Sequence, residues 1–384
     1  MMNKKLIIWG IILFLMIMSP GIFLATVLFF SAETSASRFF ALSILALFVA
    51  TILLAVVIRK FQKPVLIYAL AMYSLGIISL LGCYLASPSG HSSQNSHLRS
   101  FFPTEQKYVR WSPANLVREI DQMKLGALLV PYLDPYIDKP KARRLKKLFM
   151  TVYREMQEDS EFAEIGSVMH YAYAELGDLP FNVHHLYEYI PRQVSQEKLP
   201  VILFLHGSLG NFKGYLWVWK QFADAHQFAI VAPSFGFGNW QRQGGVAVIE
   251  AARQYCVEHP GLDEDRIILA GLSNGGLGVS RAAGVNPYGY HGLLYISCVM
   301  ERIVLVSPEF VQGWKGRPVL ILHGSQDARI PKDYIDRTVL DLYHNGLWPE
   351  VKFYDDEDHF LIFSKRVEIM GQIGRWVNSA GDNK

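Results

Sequence analysis

A serine stands between two glycines in Gly271-Leu272-Ser273-Asn274-Gly275-Gly276, directly after the apolar run Arg266–Gly271 (RIILAG). A sharp strand-to-helix turn lifts such a serine above a sheet on a strained backbone, and small neighbours leave it room. A serine hydroxyl is a weak nucleophile until a general base takes its proton. Two later segments offer the remaining chemistry. Asp327 follows the run Pro318–His323 (PVLILH), and His359 follows Glu350–Tyr354 through the acidic stretch Asp355-Asp356-Glu357-Asp358. A hydroxyl, a carboxylate and an imidazole placed after three different strands form a proton relay if the fold brings them together: His359 as base, Asp327 orienting it, Ser273 attacking a carbonyl. Asp327 also suits a helix N-cap before Ile330-Pro331, and the two roles are compatible. Asp355, Asp356 and Asp358 are rival acids, read here as solvated loop residues. His206 and His323 are rival bases, read as structural members of His-Gly turns.

A fourth segment, His206-Gly207-Ser208-Leu209-Gly210-Asn211, follows the run Pro200–Leu205 (PVILFL). A glycine-bearing loop here can present a backbone N–H to an oxyanion near Ser208, and the N–H of Asn274 is the natural second donor. Phe235, Phe237 and Trp240 lie on another post-strand loop. They read either as the wall of a substrate pocket or as core packing.

These segments need a scaffold that carries loops to one edge. Continuous apolar runs suit strands buried on both faces. Strands of this kind recur at Pro200–Leu205, Phe228–Ala232, Arg266–Gly271, Gly292–Ser297 and Pro318–His323, and Glu350–Tyr354 reads as a further strand. Helical patterns fall between them at Gly245–Val257 and Lys332–Tyr343, with Leu361–Trp376 after the last. Strands alternating with helices predict an α/β fold with a doubly wound, mostly parallel sheet whose ligands bind at the carboxyl ends of the strands. An alternating segment from His185 to Pro191 opens this region.

The motifs HGSLGN, GLSNGG, HGSQDARIP and DHF, in the order serine, acid, histidine, resemble the α/β-hydrolase superfamily. The opening "strand–YIP … LP–strand–HG" looks most like the phospholipase/carboxylesterase and dienelactone-hydrolase branch. The resemblance covers about Val183 to Asn378. It implies Ser273 as nucleophile, His359 as base, Asp327 as acid, no metal or organic cofactor, and hydrolysis of carboxylic esters through an acyl-enzyme. Two rivals are a serine peptidase of prolyl-oligopeptidase type and a catalytically silent scaffold with the same fold. The chain has no repeat for the propeller such peptidases carry.

The N-terminal part follows different physics. Leu6–Phe30, Phe39–Ile58 and Pro64–Ala86 contain no charged residue. Each run is long enough for a membrane helix, which needs roughly 20 residues. The first exceeds the roughly 7–15-residue core of a cleavable signal. Lys4, Lys5 and the cations Arg59, Lys60 and Lys63 place the N-terminus and the second short loop on the cytoplasmic side. Three spans then put the remainder outside the cytoplasm. The polar tract Ser87–Ser96 reads as a tether. Helical pattern is expected from Ser112-Pro113 to about Leu129. The basic stretch Asp138–Lys147, followed by Leu145, Leu148, Phe149, Val152 and Tyr153 at helical spacing, reads either as a helix on anionic lipid or as one packed on the catalytic domain. The expected division is thus a membrane anchor over 1–86, a tether and basic helical linker over 87–176, and a catalytic domain over 177–384.

Composition agrees with an integral membrane enzyme. Half the residues are hydrophobic (51%), only 18% are charged, and the net charge of +3 suggests no nucleic-acid partner. The expected partners are the bilayer and an ester-type small-molecule or lipid substrate. Three cysteines exclude a disulfide scaffold and a CxxC metal site, leaving a Cys256–Cys298 bridge open.

Overall fold

The computed structural model describes residues 4–59, 61–90, 96–103, 110–179 and 184–381. Lys60 of the second short loop, residues 91–95 of the expected tether, and Val183 lie outside the described residues. The chain divides into two units, Met1–Pro88 with Val109–Leu128, and Ser89–Tyr108 with Leu129–Lys384. Most of the expected linker, from Leu129 onward, therefore belongs to the unit that holds the sheet.

In the first unit the uncharged runs form α1 (Lys4–Ser31), α2 (Ser35–Arg59) and α3 (Lys63–Ala86). Buried Ala69, Gly76, Ser79 and Cys83 share one face of α3. A Cβ on Gly76 would stand 2.7 Å from Leu47 Cγ, so the small residue permits close approach of α3 to α2. Among the described residues two helical stretches, Ser35–Ile58 and Lys63–Ala86, are long and apolar enough to cross a membrane, and Met16–Ser31 is a shorter apolar stretch. Two of the three expected spans thus meet the criterion of length and composition. The helix expected from Ser112 to Leu129 is broken into α4 (Pro113–Leu116) and α5 (Glu119–Leu133). The break has local causes. Gln122 Nε2 donates to the carbonyls of Ala114 (3.1 Å) and Val117 (2.6 Å), satisfying groups the break releases. Buried Asp121 accepts from Glu33 N at 2.6 Å and Thr34 Oγ1 at 2.6 Å, capping the start of α2.

The second unit is built on an eight-stranded sheet: β1 (Leu98–Phe101), β2 (Leu186–Tyr189), β3 (Leu199–Leu205), β4 (Ala229–Pro233), β5 (Leu262–Leu272), β6 (Gly292–Ile296), β7 (Val319–Gly324) and β8 (Glu350–Tyr354). The spatial order is β1-β2-β4-β3-β5-β6-β7-β8. β2 runs antiparallel to both its neighbours; β3 through β8 pair in parallel. All seven residues of β3 are buried, as a strand covered on both faces requires. β3 lies between β4 and β5, so the chain reverses its winding there and opens a crevice at the carboxyl ends.

Helices cover both faces. On one side lie α6 (Lys139–Gln157), α9 (Lys213–His226), α15 (Leu361–Ser364) and α16 (Arg366–Gly381). On the other, α10 (Gly245–Glu258), α11 (Gly275–Val285), α12 (Arg302–Leu305), α13 (Pro308–Trp314) and α14 (Lys332–His344) pack into the main core. The stretch 299–314 contributes Leu305, Phe310 and Trp314 to that core, and Trp314 Nε1 donates to Ala283 O at 3.1 Å. Short helices α7 (Ser160–Glu164) and α8 (Met169–Leu176) precede β2. Buried Lys213 at the head of α9 donates to the carbonyls of Phe162 (3.2 Å) and Ile165 (2.9 Å) beside α7.

The basic helix α6 starts at Asp138, whose carboxylate accepts from Lys141 N at 2.8 Å. Ala142, Leu145, Met150, Val152, Tyr153 and Met156 are buried, and Phe149 packs edge-on against Phe360 and Phe363. Its apolar face is used up by protein, which replaces the lipid-facing reading. Its cations occupy the remaining surface.

Candidate active site

β5 ends at Leu272 and α11 begins at Gly275. Between them Ser273 has φ +53°, left-handed backbone that a residue with a Cβ seldom adopts. Backbone bonds hold it there: its N–H donates to Ile296 O (3.1 Å), and its carbonyl accepts from Gly276 N and Val299 N (3.1 Å each). Such strain survives only where the surroundings over-determine it. The flanking glycines are a steric necessity. A Cβ on Gly271 would lie 2.7 Å from Gly275 C, and one on Gly275 would lie 2.3 Å from Leu205 O.

The loops after β7 and β8 bring the other two groups to this serine. His359 Nε2 lies 3.0 Å from Ser273 Oγ, and His359 Nδ1 lies 2.7 Å from Asp327 Oδ2. The other carboxylate oxygen of Asp327 accepts from Arg329 N (2.9 Å) and Ile330 N (3.0 Å), the turn bonds expected of a capping aspartate. Burial pushes the Asp327 carboxyl upward, but the bond and charge of His359, with Ile330 N–H and His323, outweigh it. The net shift is below the ordinary carboxylate value. Asp355 and Asp356 are exposed, and Asp358 accepts from Phe360 N at 2.9 Å.

His206 and His323 are bound elsewhere. His206 Nδ1 lies 2.8 Å from Gly207 O, and its Nε2 accepts from Phe235 N at 3.1 Å. Burial pushes its pKa down to about 4. His323 Nε2 lies 2.9 Å from Ile330 O, bracing the turn that carries Asp327.

The loop of Ser208 packs directly against the serine: a Cβ on Gly207 would be 3.1 Å from Ser273 Cβ. Asn274 Nδ2 donates to Ser208 Oγ at 2.8 Å, coupling the two expected oxyanion donors. Asn211, three residues on, donates to Ser234 Oγ (3.0 Å), Ala232 O (3.2 Å) and Pro233 O (3.3 Å), pinning this loop to the end of β4. Sequence reasoning passed over Asn211, although a polar residue after HGSLG was visible. It also passed over Glu175 on α8. That buried carboxylate accepts from Phe237 N, from Asn239 Nδ2 (2.9 Å) and from Arg242 Nη1 (2.7 Å), fixing the loop after β4.

Phe235 and Trp240 are buried in the main core. Trp240 is fully buried, stacks on Phe235 and donates its indole N–H to His206 O at 2.8 Å, so both rings belong to the core. Phe237 is only half-buried. A shallow, open cleft next to the imidazole is lined by Tyr136, Lys141, Arg144, Arg329, Asp358 and His359, with Leu145 and Leu148 on its wall.

Cys83, Cys256 and Cys298 are all free and buried, so Cys256 and Cys298 are not bridged. Cys298 Sγ donates to Gly271 O at 3.0 Å, and burial pushes its thiol far up, the behaviour of a small core residue. Among the described residues no group of three or more His, Cys, Asp or Glu side chains is placed to hold a metal ion.

No protein-family profile and no curated protein matches the sequence. Solved structures similar to this chain include Est1E from Butyrivibrio proteoclasticus, at 16% identity and TM-score 0.42 over 51% of this chain and 94% of that one. S-formylglutathione hydrolase FrmB from Staphylococcus aureus has 17% identity and TM-score 0.42 over 50% of this chain and 89% of that one. An acylaminoacyl peptidase of Pyrococcus horikoshii has 14% identity and TM-score 0.40 over 50% of this chain and 39% of that one. The strand order and antiparallel β2 of the present chain make its own sheet α/β-hydrolase-like.

Proposed function

We propose that this chain is a serine hydrolase that cleaves carboxylic esters through Ser273, His359 and Asp327. The observation that carries the reading is the continuous relay at a left-handed serine, 3.0 Å from Ser273 Oγ to His359 Nε2 and 2.7 Å from His359 Nδ1 to Asp327 Oδ2.

In this reading His359 donates Nδ1–H to Asp327, leaving the Nε2 lone pair toward the hydroxyl. As Ser273 Oγ attacks the ester carbonyl carbon, its proton passes to Nε2. Asp327 stabilises the imidazolium that forms. The carbonyl oxygen gathers charge opposite the backbone N–H groups of Asn274 and Ser208, each such donor contributing about 3–4 kcal/mol to the transition state. Collapse expels the alcohol, which takes the proton from Nε2 and leaves an acyl-serine. Water then repeats the sequence with His359 as base, releasing the acid and restoring the hydroxyl. Apart from the ester and water, each participant in this scheme is a side chain or backbone amide of this chain.

The N-terminal helices serve, in this reading, as a three-span anchor with the hydrolase unit outside the cytoplasm. The support is the charge-free runs and the cationic second loop. Retention at a membrane suits a lipid or other surface-associated ester.

Labelling with a fluorophosphonate tests the nucleophile: wild type should label and Ser273→Ala should not. Labelling that persists in Ser273→Ala removes the assignment. A panel of short esters, phospholipids and dipeptide amides separates esterase from peptidase. A reporter fused to the C-terminus should read as exported, and a cytoplasmic signal there contradicts the orientation.

A further inference from the structure

We propose that the cleft beside His359 binds an anionic group of the substrate, a carboxylate or phosphate a few bonds from the scissile ester. The proposal rests on the serine-hydrolase reading and adds the class of ester.

Three cations from two segments converge on this cleft: Lys141 and Arg144 from α6, and Arg329 from the turn that holds Asp327. Lys141, Arg144, Leu145 and Leu148 fall at i, i+3, i+4 and i+7, one face of α6, so a mixed cationic and apolar wall faces the imidazole. The two arginines are already oriented by acids. Arg144 Nη2 meets Glu357 Oε2 at 2.9 Å, and Arg329 pairs with Asp134. Asp358, the acid of the lining, is engaged through Oδ1 by Phe360 N at 2.9 Å.

Lys141 differs from the arginines. Its ammonium lies 3.5 Å from the carbonyl of Tyr136 and has no carboxylate partner among the described residues. It is therefore the cation whose charge an arriving anion can complete. The wider field has the same sign: Lys139–Lys147 holds six cations and no acid in nine residues. With both arginines paired and Asp358 bonded to Phe360 N, Lys141 and the basic face of α6 supply the positive field that draws an anion here. Placement next to His359 puts the captured group on the reacting ester rather than on a remote surface.

The experiment compares kcat/KM within matched ester pairs on the full chain in detergent. One pair varies the acyl side, 4-nitrophenyl butyrate against 4-nitrophenyl hemisuccinate. Another varies the alcohol side, phenyl acetate against 4-acetoxybenzoate, with 4-acetoxyphenyl phosphate as the phosphate arm. The anionic member of at least one pair should be favoured roughly two- to fivefold, the range that a largely solvated charge pair supplies. The ratio should fall toward one in Lys141→Met and with added salt, and should invert in Lys141→Glu. Lys141 is exposed, so both variants should fold. Lys198→Met, at the far end of β3, should keep the wild-type ratio. Equal or better hydrolysis of every neutral member, unmoved by Lys141→Glu, overturns the anionic site while leaving the hydrolase reading intact. No hydrolysis of any ester together with no fluorophosphonate labelling overturns both.

Discussion

Gln326 donates its backbone N–H to the carbonyl of Glu357 at 2.9 Å, and this bond stitches the turn of Asp327 to the loop of His359. The two loops follow neighbouring parallel strands, and this bond, with Ser325 N donating to Tyr354 O at 2.9 Å, helps hold the acid relative to the imidazole. Gly324 makes the approach possible: a Cβ there would stand 2.4 Å from Glu357 O. Gly324→Val should pry the loops apart, lowering kcat more than tenfold while KM changes little. A kcat within twofold of wild type, measured on a short ester with circular dichroism confirming the fold, would contradict this coupling.

Asp327 holds the imidazole by one oxygen and its own turn by the other. Asp327→Asn keeps the shape but presents an amide to Nδ1, favouring the wrong tautomer. Loss in kcat of roughly 10³–10⁴ is expected, as for an analogous orienting acid. Because the folded carboxyl titrates below its ordinary value of 3.8, its favourable pairing is complete above that pH and is lost as pH falls through the depressed folded value. A pH–rate profile of wild type should therefore show no carboxylate limb attributable to Asp327 above pH 4.

Asn274 has two separable tasks. Its backbone N–H faces the oxyanion in the proposed mechanism, and its side chain donates to Ser208 Oγ at 2.8 Å. Asn274→Ala removes only the second, so a loss of about 1 kcal/mol, roughly fivefold in kcat, is expected. Ser208→Pro deletes a backbone donor and should cost about 10²–10³ in kcat. Single-turnover acylation rates would distinguish the two. Equal losses would refute the division.

Acid should destabilise the fold through buried histidines. Burial lowers His206 to about 4 and His185 to about 3, both from an ordinary 6.5. Below pH 6.5 the unfolded chain takes up protons that the fold refuses, so stability declines with falling pH until those folded values are reached. The slope is about 1.4 kcal/mol per pH unit for each histidine. Denaturation midpoints at pH 7 and pH 5 should differ accordingly. His206→Gln, though less stable at pH 7, should show a shallower dependence on pH; an unchanged dependence would argue against His206 as a source.

The parts legible in the sequence were those governed by local pattern. Fully buried parallel strands such as β3 leave unbroken apolar runs, and the sequence limits of the alternating edge strand β8 match the observed Glu350–Tyr354. Ser273, Asp327 and His359 could be singled out because each follows a segment legible as a strand. β1 left no comparable trace, since Leu98–Phe101 is four residues long with only Leu98 buried, and its pairing with β2 is set by distant chain. Glu175 and Lys213 act through backbone groups remote in sequence, which no periodicity encodes. Aromatic residues are ambiguous for a different reason. Phe235 and Trp240 suit a pocket wall and a core equally, and His206 O waiting for an indole N–H decided between them. In α6 the run of cations drew attention to solvent and lipid, while Phe149 and Leu145 carried the packing.

The ammonium of Lys213 has a consequence for dissection of the protein. Its two carbonyl acceptors belong to residues 162 and 165, ahead of the strands that carry Ser273, Asp327 and His359. A fragment trimmed to begin at residue 177 would take both of these carbonyls away from a buried ammonium, which should lower its stability. A foldable form of this unit therefore starts well upstream of residue 177, and truncation screens for soluble expression should keep β1 as well as α7.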